Sequence, residues 1–225
     1  MAYRDAWSIL VLNIYHRLEM VSLMTEFRQQ AAALVEAGRQ LYARGMVPAT
    51  SGNFSARLSD GTLAITVSGA HKGKLKESDI MRVDAEGQTL DGRQPSAETL
   101  LHVGIYQCRA DAHVVLHPHS IPATVLSRLC EDSLLLQNYE LLKAFSGIDS
   151  HQTSLVVPVL DNDQNIARLA AKAESRLKST RPVYGYLIRG HGFYTWGKEI
   201  SAALRHVEAF EFLFECELLM RRYQS

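Results

Sequence analysis

Two histidines separated by a proline follow an apolar run in the segment VVLHPHSIPATVL (114–126). Alternate residues of a β-strand point to the same side, so the rings of His117 and His119 can reach one point. Neutral imidazole is a frequent zinc ligand, and the pair therefore indicates a metal site. The tripeptide alone fits equally well two partly exposed histidines in a loop.

A third histidine, His191, lies between Gly190 and Gly192 in the segment YLIRGHGFYTWG. Glycine lets the backbone turn and approach another group closely, so this imidazole can meet groups from other elements. Taken alone, a histidine between two glycines at a hairpin tip is more often a simple turn residue. Three histidines with one vacant position are, however, typical of a catalytic zinc rather than a structural one. Zinc is expected, although three imidazoles can also hold iron, cobalt or nickel.

Two carboxylates are candidates for acid/base chemistry beside such a metal. Glu98 falls in the first turn of a predicted helix, and Glu140 lies in the amphipathic segment LQNYELLKAF. Each has a structural alternative. Glu98 is a favourable charge at a helix N-terminus and can pair with His102 four residues later. Glu140 can belong to a solvated face, paired with Lys143.

Small residues and hydroxyls recur in TSGNFS (50–55), in SGAHKGK (68–74) and at Ser96. Free backbone N–H groups, hydroxyl groups and the N-terminus of a helix together bind phosphate well. Each feature is common by itself. Their occurrence near a predicted metal site indicates a small anionic substrate.

The composition restricts the class of protein. The 225 residues contain 24 lysines and arginines against 24 acidic residues, without a basic run, which argues against nucleic-acid binding. Three cysteines without a CxxC pair indicate the reducing cytoplasm. The apolar segment 7–14 is too short to span a bilayer. We predict an N-terminal extension over 1–24 and one catalytic domain over 25–225.

Periodicity and turn signals predict the elements that must position these residues. Asp-Gly in SDGT (59–62) predicts a hairpin, and Ser96 after Pro95 predicts a helix N-cap. Strands and helices occur without regular βαβ alternation, which favours a mixed α/β layered domain. The predicted strands are 54–58, 63–67, 80–84, 113–117, 154–159 and a hairpin over 183–197. The predicted helices start at Thr25 and then cover 95–109, 120–130, 138–145, 163–178 and 199–222.

The motifs SGNFSAR, VSGAHKG, PSAETLLH, HPHS and GHGFYTWG occur in the order of the zinc-dependent class II aldolase and adducin-head superfamily. The chain resembles that superfamily over about residues 28–222. The resemblance implies an α/β fold with a central mixed or antiparallel sheet flanked by helices, and a homotetramer with sites near subunit contacts. It implies one Zn²⁺ per subunit, held by His117, His119 and His191. It implies catalytic roles for Glu98 and Glu140, and phosphate binding by Asn53, Ser68, Gly69 and Ser96.

Three further segments, LQNYELLKAF, VPVLDNDQNIARLA and ALRHVEAFEFLFECEL, resemble the dehydratases of this superfamily. The expected activity is therefore metal-assisted loss of water from a phosphorylated ketose, with Glu140 as the acid/base. A sugar-phosphate aldolase or epimerase on the same scaffold is the nearest alternative. A non-catalytic module like the adducin head is the alternative from another class. The last helix supports assembly, because Phe210, Phe212, Phe214 and Leu218 spread over more than one face.

Overall fold

The computed structural model describes the backbone of residues 2–180 and 182–224, and the side chains of residues 17–180 and 182–223. This part of the chain folds into α-helices and β-strands joined by short connections. The helices are α1 (Ala2–Ala43), α2 (Thr99–Cys108), α3 (Ile121–Leu129), α4 (Ile166–Ser179) and α5 (Ile200–Gln224). The strands are β1 (Asn53–Arg57), β2 (Leu63–Thr66), β3 (Ile80–Val83), β4 (Val114–His117), β5 (Ser133–Gln137), β6 (Ser154–Leu160), β7 (Gly185–Ile188) and β8 (Gly192–Gly197).

The strands form one mixed sheet in the order β3-β2-β1-β4-β8-β7-β6-β5. The pairing of β6 with β7 is parallel, and the other named pairings between the described strands are antiparallel. Strand β4 lies in the middle of the sheet, where Leu116 is opposite Phe54 of β1 and Thr195 of β8. His117 therefore ends a central strand that has a neighbour on each side.

Helices cover both faces of the sheet. Since successive side chains of a strand point to opposite faces, each strand contributes to a core on either side. Leu116 and Phe193 pack in the core under α1, α3 and α5. Their chain neighbours Val115 and Tyr194 pack in a second core under α2 and α4. Burying one such large apolar side chain stabilises the fold by about 1.5–3 kcal/mol. The predicted α/β layered architecture, with a mixed sheet between helices, is confirmed.

Three local predictions differ from the structure. Strand β5 was not predicted, because three consecutive leucines in SLLLQ (133–137) hide the alternation of exposed and buried residues. The predicted helix over 138–145 is instead a short 3-10 turn, Glu140–Ala144. The prediction that Ser96 is an N-cap is wrong, since α2 begins at Thr99 with Glu98 at the N-cap position.

The helix predicted from Thr25 is the later part of α1, which begins at Ala2. The boundary between an N-terminal extension and the domain at residues 24 and 25 stays a prediction. The side chains of the apolar segment 7–14 lie outside the described residues. None of the helices in the described residues is long and apolar enough to cross a membrane.

Candidate metal and substrate site

The pairing of β4 with β8 brings the three predicted histidines together. His117 is the last residue of β4 and is fully buried, and His119 follows two residues later. His191 precedes β8, whose first residues lie beside the end of β4. Gly192 permits this approach, because a Cβ atom there would lie 2.3 Å from the carbonyl oxygen of Pro118. The close backbone approach anticipated at this glycine is therefore present.

Glu98 joins the histidines from the N-cap position of α2. Its Oε2 lies 3.2 Å from Nε2 of His117, and its Oε1 lies 3.3 Å from Nε2 of His191. One ligand atom from each of Glu98, His117, His119 and His191 lies within 4.8 Å of the other three. One carboxylate and three imidazoles thus face a common point, although they are distant in the sequence.

The donor set fits a divalent metal ion. Nδ1 of His117 lies 2.8 Å from the carbonyl oxygen of Phe193, so Nδ1 donates to that oxygen and Nε2 is left to face the site. Nε2 of His117 lies 2.8 Å from Nε2 of His119. Two ring nitrogens at this distance need a cation or a shared proton between them. A backbone carbonyl that orients a histidine in this way is the usual partner of a metal-bound imidazole.

Electrostatics favour the ligand forms of these groups. Burial, reinforced by His117 and His191, lowers the pKa of His119 to about 2 despite the opposite effect of Glu98. Burial also lowers the pKa of His191. Burial by itself raises the pKa of Glu98, but the His117 and His191 rings lower it well below its usual range. Near pH 7 the site therefore offers neutral imidazoles at His119 and His191 and an ionised carboxylate.

Glu98 is held in place by a buried network that the sequence did not predict. Nδ2 of Asn53 donates to Oε2 of Glu98 at 2.7 Å, and the hydroxyl of Tyr194 donates to the same oxygen at 2.9 Å. Oδ1 of Asn53 accepts from Nε2 of His102 in a short contact. Nδ1 of His102 in turn accepts from Ser55 Oγ at 2.7 Å. The alternative that His102 pairs directly with Glu98 is replaced by a bridge through Asn53.

The four residues predicted to bind phosphate line one pocket beside the metal ligands. The pocket has a volume of about 310 Å³, and its wall includes Asn53, Ser68, Gly69 and Ser96. It also includes Glu98, His119 and His191, so a ligand in this pocket can contact both groups of residues. Asn53 has a second Nδ2 hydrogen beyond the one given to Glu98. Phosphate binding by these four residues stays a prediction that the common pocket supports.

Several residues of this pocket wall had no predicted role. Thr50, Ser51, Gly52 and Lys72 lie in the two segments that were expected to bind an anion, whereas Val67, Ala97, Asn162, Asp163, Gln164 and Ile166 lie outside them. The polar run DNDQN (161–165) directly after β6 was a signal, since polar residues at the end of a strand often form a site. For Lys72, in the segment SGAHKGK (68–74), the sequence predicted no specific role.

Glu140 lies apart from these residues. It begins the 3-10 turn, its side chain is 72% exposed, and its Oε1 lies 2.6 Å from Nζ of Lys143. His151 lies near its other oxygen, at 3.7 Å. In the described residues, Glu140 is neither in the metal-ligand group nor in the pocket wall. The structural alternative for Glu140, a solvated position paired with Lys143, is therefore what one chain shows. The acid/base role of Glu140 stays a prediction.

Three histidines and a carboxylate, of which His117 is buried and the others are half-buried, form a group that could hold a metal ion and that opens into a pocket lined by hydroxyls and glycines. The chain matches the model of the "Class II Aldolase and Adducin N-terminal domain" family over residues 32–218. The protein therefore belongs to the class II aldolase and adducin N-terminal domain family.

Several relatives of this chain are methylthioribulose-1-phosphate dehydratases. That of Methylococcus capsulatus is 62% identical over 196 residues, which are 87% of this chain and 96% of the relative. That of Pseudomonas syringae pv. syringae is 56% identical over 86% of this chain and 96% of its own length. That of Azotobacter vinelandii is 54% identical over 88% of this chain and 97% of its own length. These relatives match nearly their whole length.

Solved structures with the same fold include sugar-phosphate aldolases. An L-fuculose 1-phosphate aldolase aligns with a TM-score of 0.73 and 26% identity, covering 88% of both chains. The L-fuculose-1-phosphate aldolase of Thermus thermophilus aligns with a TM-score of 0.70 and 28% identity, covering 87% of this chain and 95% of its own. The predicted class II aldolase-like fold is thereby confirmed.

Proposed function

We propose that this protein is a methylthioribulose-1-phosphate dehydratase, a hydro-lyase of L-methionine salvage. The observation that carries the proposal is the 62% identity, over 96% of its length, with the Methylococcus capsulatus dehydratase. The geometry supports the proposal, because a group of metal ligands opens into a pocket large enough for a phosphorylated pentulose. The product is 2,3-diketo-5-methylthiopentyl 1-phosphate. The free cysteines at positions 108, 130 and 216 agree with a cytoplasmic location.

His117, His119 and His191 would hold the metal, which we take to be Zn²⁺, one per subunit. When bound, such a metal acts as a Lewis acid that polarises the substrate carbonyl at C2 and acidifies the hydrogen at C3. Phe193 supports His117 through its carbonyl oxygen and keeps Nε2 turned towards the site. The phosphate group would lie against Ser68, Gly69, Ser96 and Asn53.

Two proton transfers remain for side chains of the protein. A base must remove the proton from C3, and an acid must protonate the C4 oxygen so that it leaves as water; the resulting enol then tautomerises to the diketone. Glu98 is poorly suited, because its pKa is held well below its usual range and Asn53 and Tyr194 occupy its Oε2. We assign both transfers to Glu140, because it lies in the segment LQNYELLKAF that resembles the dehydratases, and one positioned carboxylate can take one proton and return another.

Glu140 is exposed on its own chain, so this role requires a second copy that brings it to a neighbouring site. Assembly as a homotetramer would supply that copy. Exposed apolar side chains on α5 agree with such an assembly, because Phe212 is 55% exposed, whereas Phe210 and Phe214 are fully buried in their own subunit. Phe212 lines one surface groove together with Ile121 and Leu219, which are also exposed, and a contiguous apolar patch is typical of a subunit contact.

The decisive experiment measures loss of water from methylthioribulose 1-phosphate by the purified protein. Glu140→Gln keeps the size of the side chain and should lower turnover by about 10²–10⁴-fold without loss of metal. If this variant retains normal turnover while Glu98→Gln abolishes it, the acid/base is Glu98. If the wild type releases no diketone, the dehydratase proposal is wrong.

A mixing experiment tests whether two copies share the site. Glu140→Gln subunits retain the metal ligands, and His119→Ala subunits retain Glu140. Co-assembled subunits should recover activity, up to about one quarter of wild type if every site combines two neighbouring copies. An inactive mixed oligomer, verified by mass spectrometry, would contradict a shared site.

Aldol cleavage is the second candidate, favoured by the structural likeness to L-fuculose 1-phosphate aldolases. Both reactions would use the same histidines, and they differ in whether a C–C or a C–O bond breaks. Nuclear magnetic resonance of the products separates them, because cleavage releases a three-carbon phosphate and dehydration retains all carbons. A metal assay separates both from a non-catalytic module, for which we expect no bound metal.

A further inference from the structure

Lys72 is an almost fully buried lysine between two loops of the pocket. Its exposed fraction is 2%, and lysine is rarely buried to this degree without a partner. Its Nζ donates to the carbonyl oxygen of Thr50 at 2.9 Å and to that of Ala70 at 2.6 Å. Thr50 belongs to the loop before β1, and Ala70 belongs to the loop after β2. The ammonium group therefore connects the loop that leads into Asn53 with the loop that contains Ser68.

The main chain around Lys72 is closely packed against α1. A Cβ atom at Gly38 would lie 2.8 Å from the carbonyl oxygen of Lys72. A Cβ atom at Gly73 would lie 2.2 Å from the ring of Tyr42. The two glycines allow this contact between the turn and the helix. The backbone of Lys72 is therefore closely packed, and the two hydrogen bonds of Nζ hold the ammonium group in the pocket wall.

The charge of Lys72 has no opposite charge in contact with it. Its two acceptors are neutral carbonyls, and no carboxylate of the described residues forms a salt bridge with it. An ammonium group has three N–H donors, so one remains beyond the two used by Thr50 and Ala70. Burial lowers the pKa of Lys72 to about 8, partly offset by Glu98, so the group is mostly protonated near pH 7.

The pocket needs this positive charge if it binds a phosphate ester. Among the described residues of its wall, Glu98 and Asp163 are acidic and Lys72 is the only lysine or arginine. Asp163 is already paired with Arg168, whose Nη2 lies 2.7 Å from its Oδ1. A phosphate ester brings about 1.5–2 negative charges at neutral pH. Hydroxyls and backbone N–H groups orient a phosphate, but they carry no net charge to balance it.

We propose that Lys72 is a phosphate-binding residue of this site. Its remaining N–H donates to the substrate phosphate, while its other two N–H groups join the loops that contain Thr50 and Ala70. The inference rests on the proposed function only in that the substrate is a phosphate ester. Lys74, on the same turn, is exposed and lies outside the pocket wall. It serves as the matched control.

The first test uses inorganic phosphate as the probe and does not depend on catalysis. Phosphate binding to the metal-loaded protein is measured by calorimetry for the wild type, Lys72→Met, Lys72→Arg and Lys74→Met. We expect Lys72→Met to weaken phosphate binding about 10- to 100-fold, because a hydrogen bond to a charged group is lost. Lys74→Met should stay within about twofold of the wild type, and Lys72→Arg should recover part of the loss. Unchanged phosphate affinity in folded Lys72→Met would overturn the proposal.

The second test separates phosphate binding from a purely structural role. Steady-state constants are compared for methylthioribulose 1-phosphate and for the same ketose without its phosphate. Lys72→Met should raise KM for the phosphorylated substrate and change kcat/KM of the other substrate by less than about twofold. An equal loss for both substrates would mean that Lys72 only joins the loops, and would refute the proposal.

Folding and metal content are checked for every variant by circular dichroism and metal analysis. If Lys72→Met does not fold, Lys72→Gln replaces it, since glutamine still donates hydrogen bonds but lacks the charge. If the wild type binds phosphate through Lys72 but does not dehydrate the substrate, the proposed function fails and the assignment of Lys72 stands. If dehydration is observed and Lys72→Gln binds phosphate normally, the assignment fails alone.

Discussion

Replacing Asn53 by alanine tests whether this residue mainly positions Glu98 or mainly binds phosphate. Asn53 is 5% exposed, and its amide bridges the Glu98 carboxylate and the His102 ring. Losing the hydrogen bond to the carboxylate removes about 1.5–3 kcal/mol, and a buried donor left on His102 costs about 1–3 kcal/mol. Because the residue borders the pocket, a water molecule can replace part of these interactions. We expect Asn53→Ala to lower the free energy of unfolding by about 2–4 kcal/mol.

For a chain of this size, 1 kcal/mol corresponds to about 2–4 °C in Tm, so the loss should be about 5–15 °C. Turnover should also fall, because Glu98 loses one of the two groups that orient it. Ser96→Ala is the control, since its Oγ receives only a long bond of 3.3 Å from the Glu98 N–H. Differential scanning calorimetry and steady-state kinetics measure both effects. A Tm within about 2 °C of the wild type, with only KM raised, would refute the positioning role.

Three further predictions concern the metal, the loop before β1 and a buried acid. His119→Ala should lose both bound metal and turnover in metal analysis and kinetics, whereas full activity of chelator-treated wild type would contradict a metal site. Gly52→Ala should lower Tm more than Gly61→Ala. Both glycines have positive φ, 77° and 84°, so alanine is strained at either position. Only at Gly52 would the added Cβ atom also lie 2.7 Å from the carbonyl oxygen of His117. Equal losses of Tm would contradict the steric argument. Burial raises the pKa of Glu211 to about 7, so ionisation of Glu211 destabilises the folded state. This loss of stability is absent below pH 4.5 and complete above pH 7. Glu211→Gln should therefore raise stability by about 2–3 kcal/mol at pH 8 and leave it nearly unchanged at pH 4, and denaturant unfolding at the two pH values checks this sign.

The apolar residues of α5 lie on more than one face of the helix, as the sequence indicated. The sequence did not show which of them are buried in the core and which are exposed. Phe210 and Phe214 face the sheet in the core, whereas Phe212 lies at the surface. All three residues are phenylalanine, so composition cannot divide them. The direction of each side chain follows only when the helix is placed against β8.

Local signals in the sequence determined most of the elements. The strand before His117, the turn at SDGT (59–62), the hairpin around His191 and the long last helix were predicted because burial periodicity and glycine turns act between chain neighbours. The same logic failed for β5, where the alternation is masked by leucine on both faces. It also failed at Ser96, because the start of α2 depends on where Glu98 is held.

The convergence of the site was decided by tertiary structure. Residue type and spacing indicated that His117 and His119 share a direction, and they singled out His191 as a third imidazole and Glu98 as a candidate carboxylate. No local rule, however, places the residue before β8 or the residue before α2 beside β4. That placement follows from the strand order β1-β4-β8, which is a matter of packing between distant segments. The same order puts Asn53 of β1 opposite His117, so its amide reaches Glu98, and the connection between β2 and β3 brings Lys72 into the same pocket wall. Contacts of this kind depend on packing between distant segments, and therefore the sequence alone indicated the histidines and Glu98 that lie together at the site, but not the residues that hold them in place.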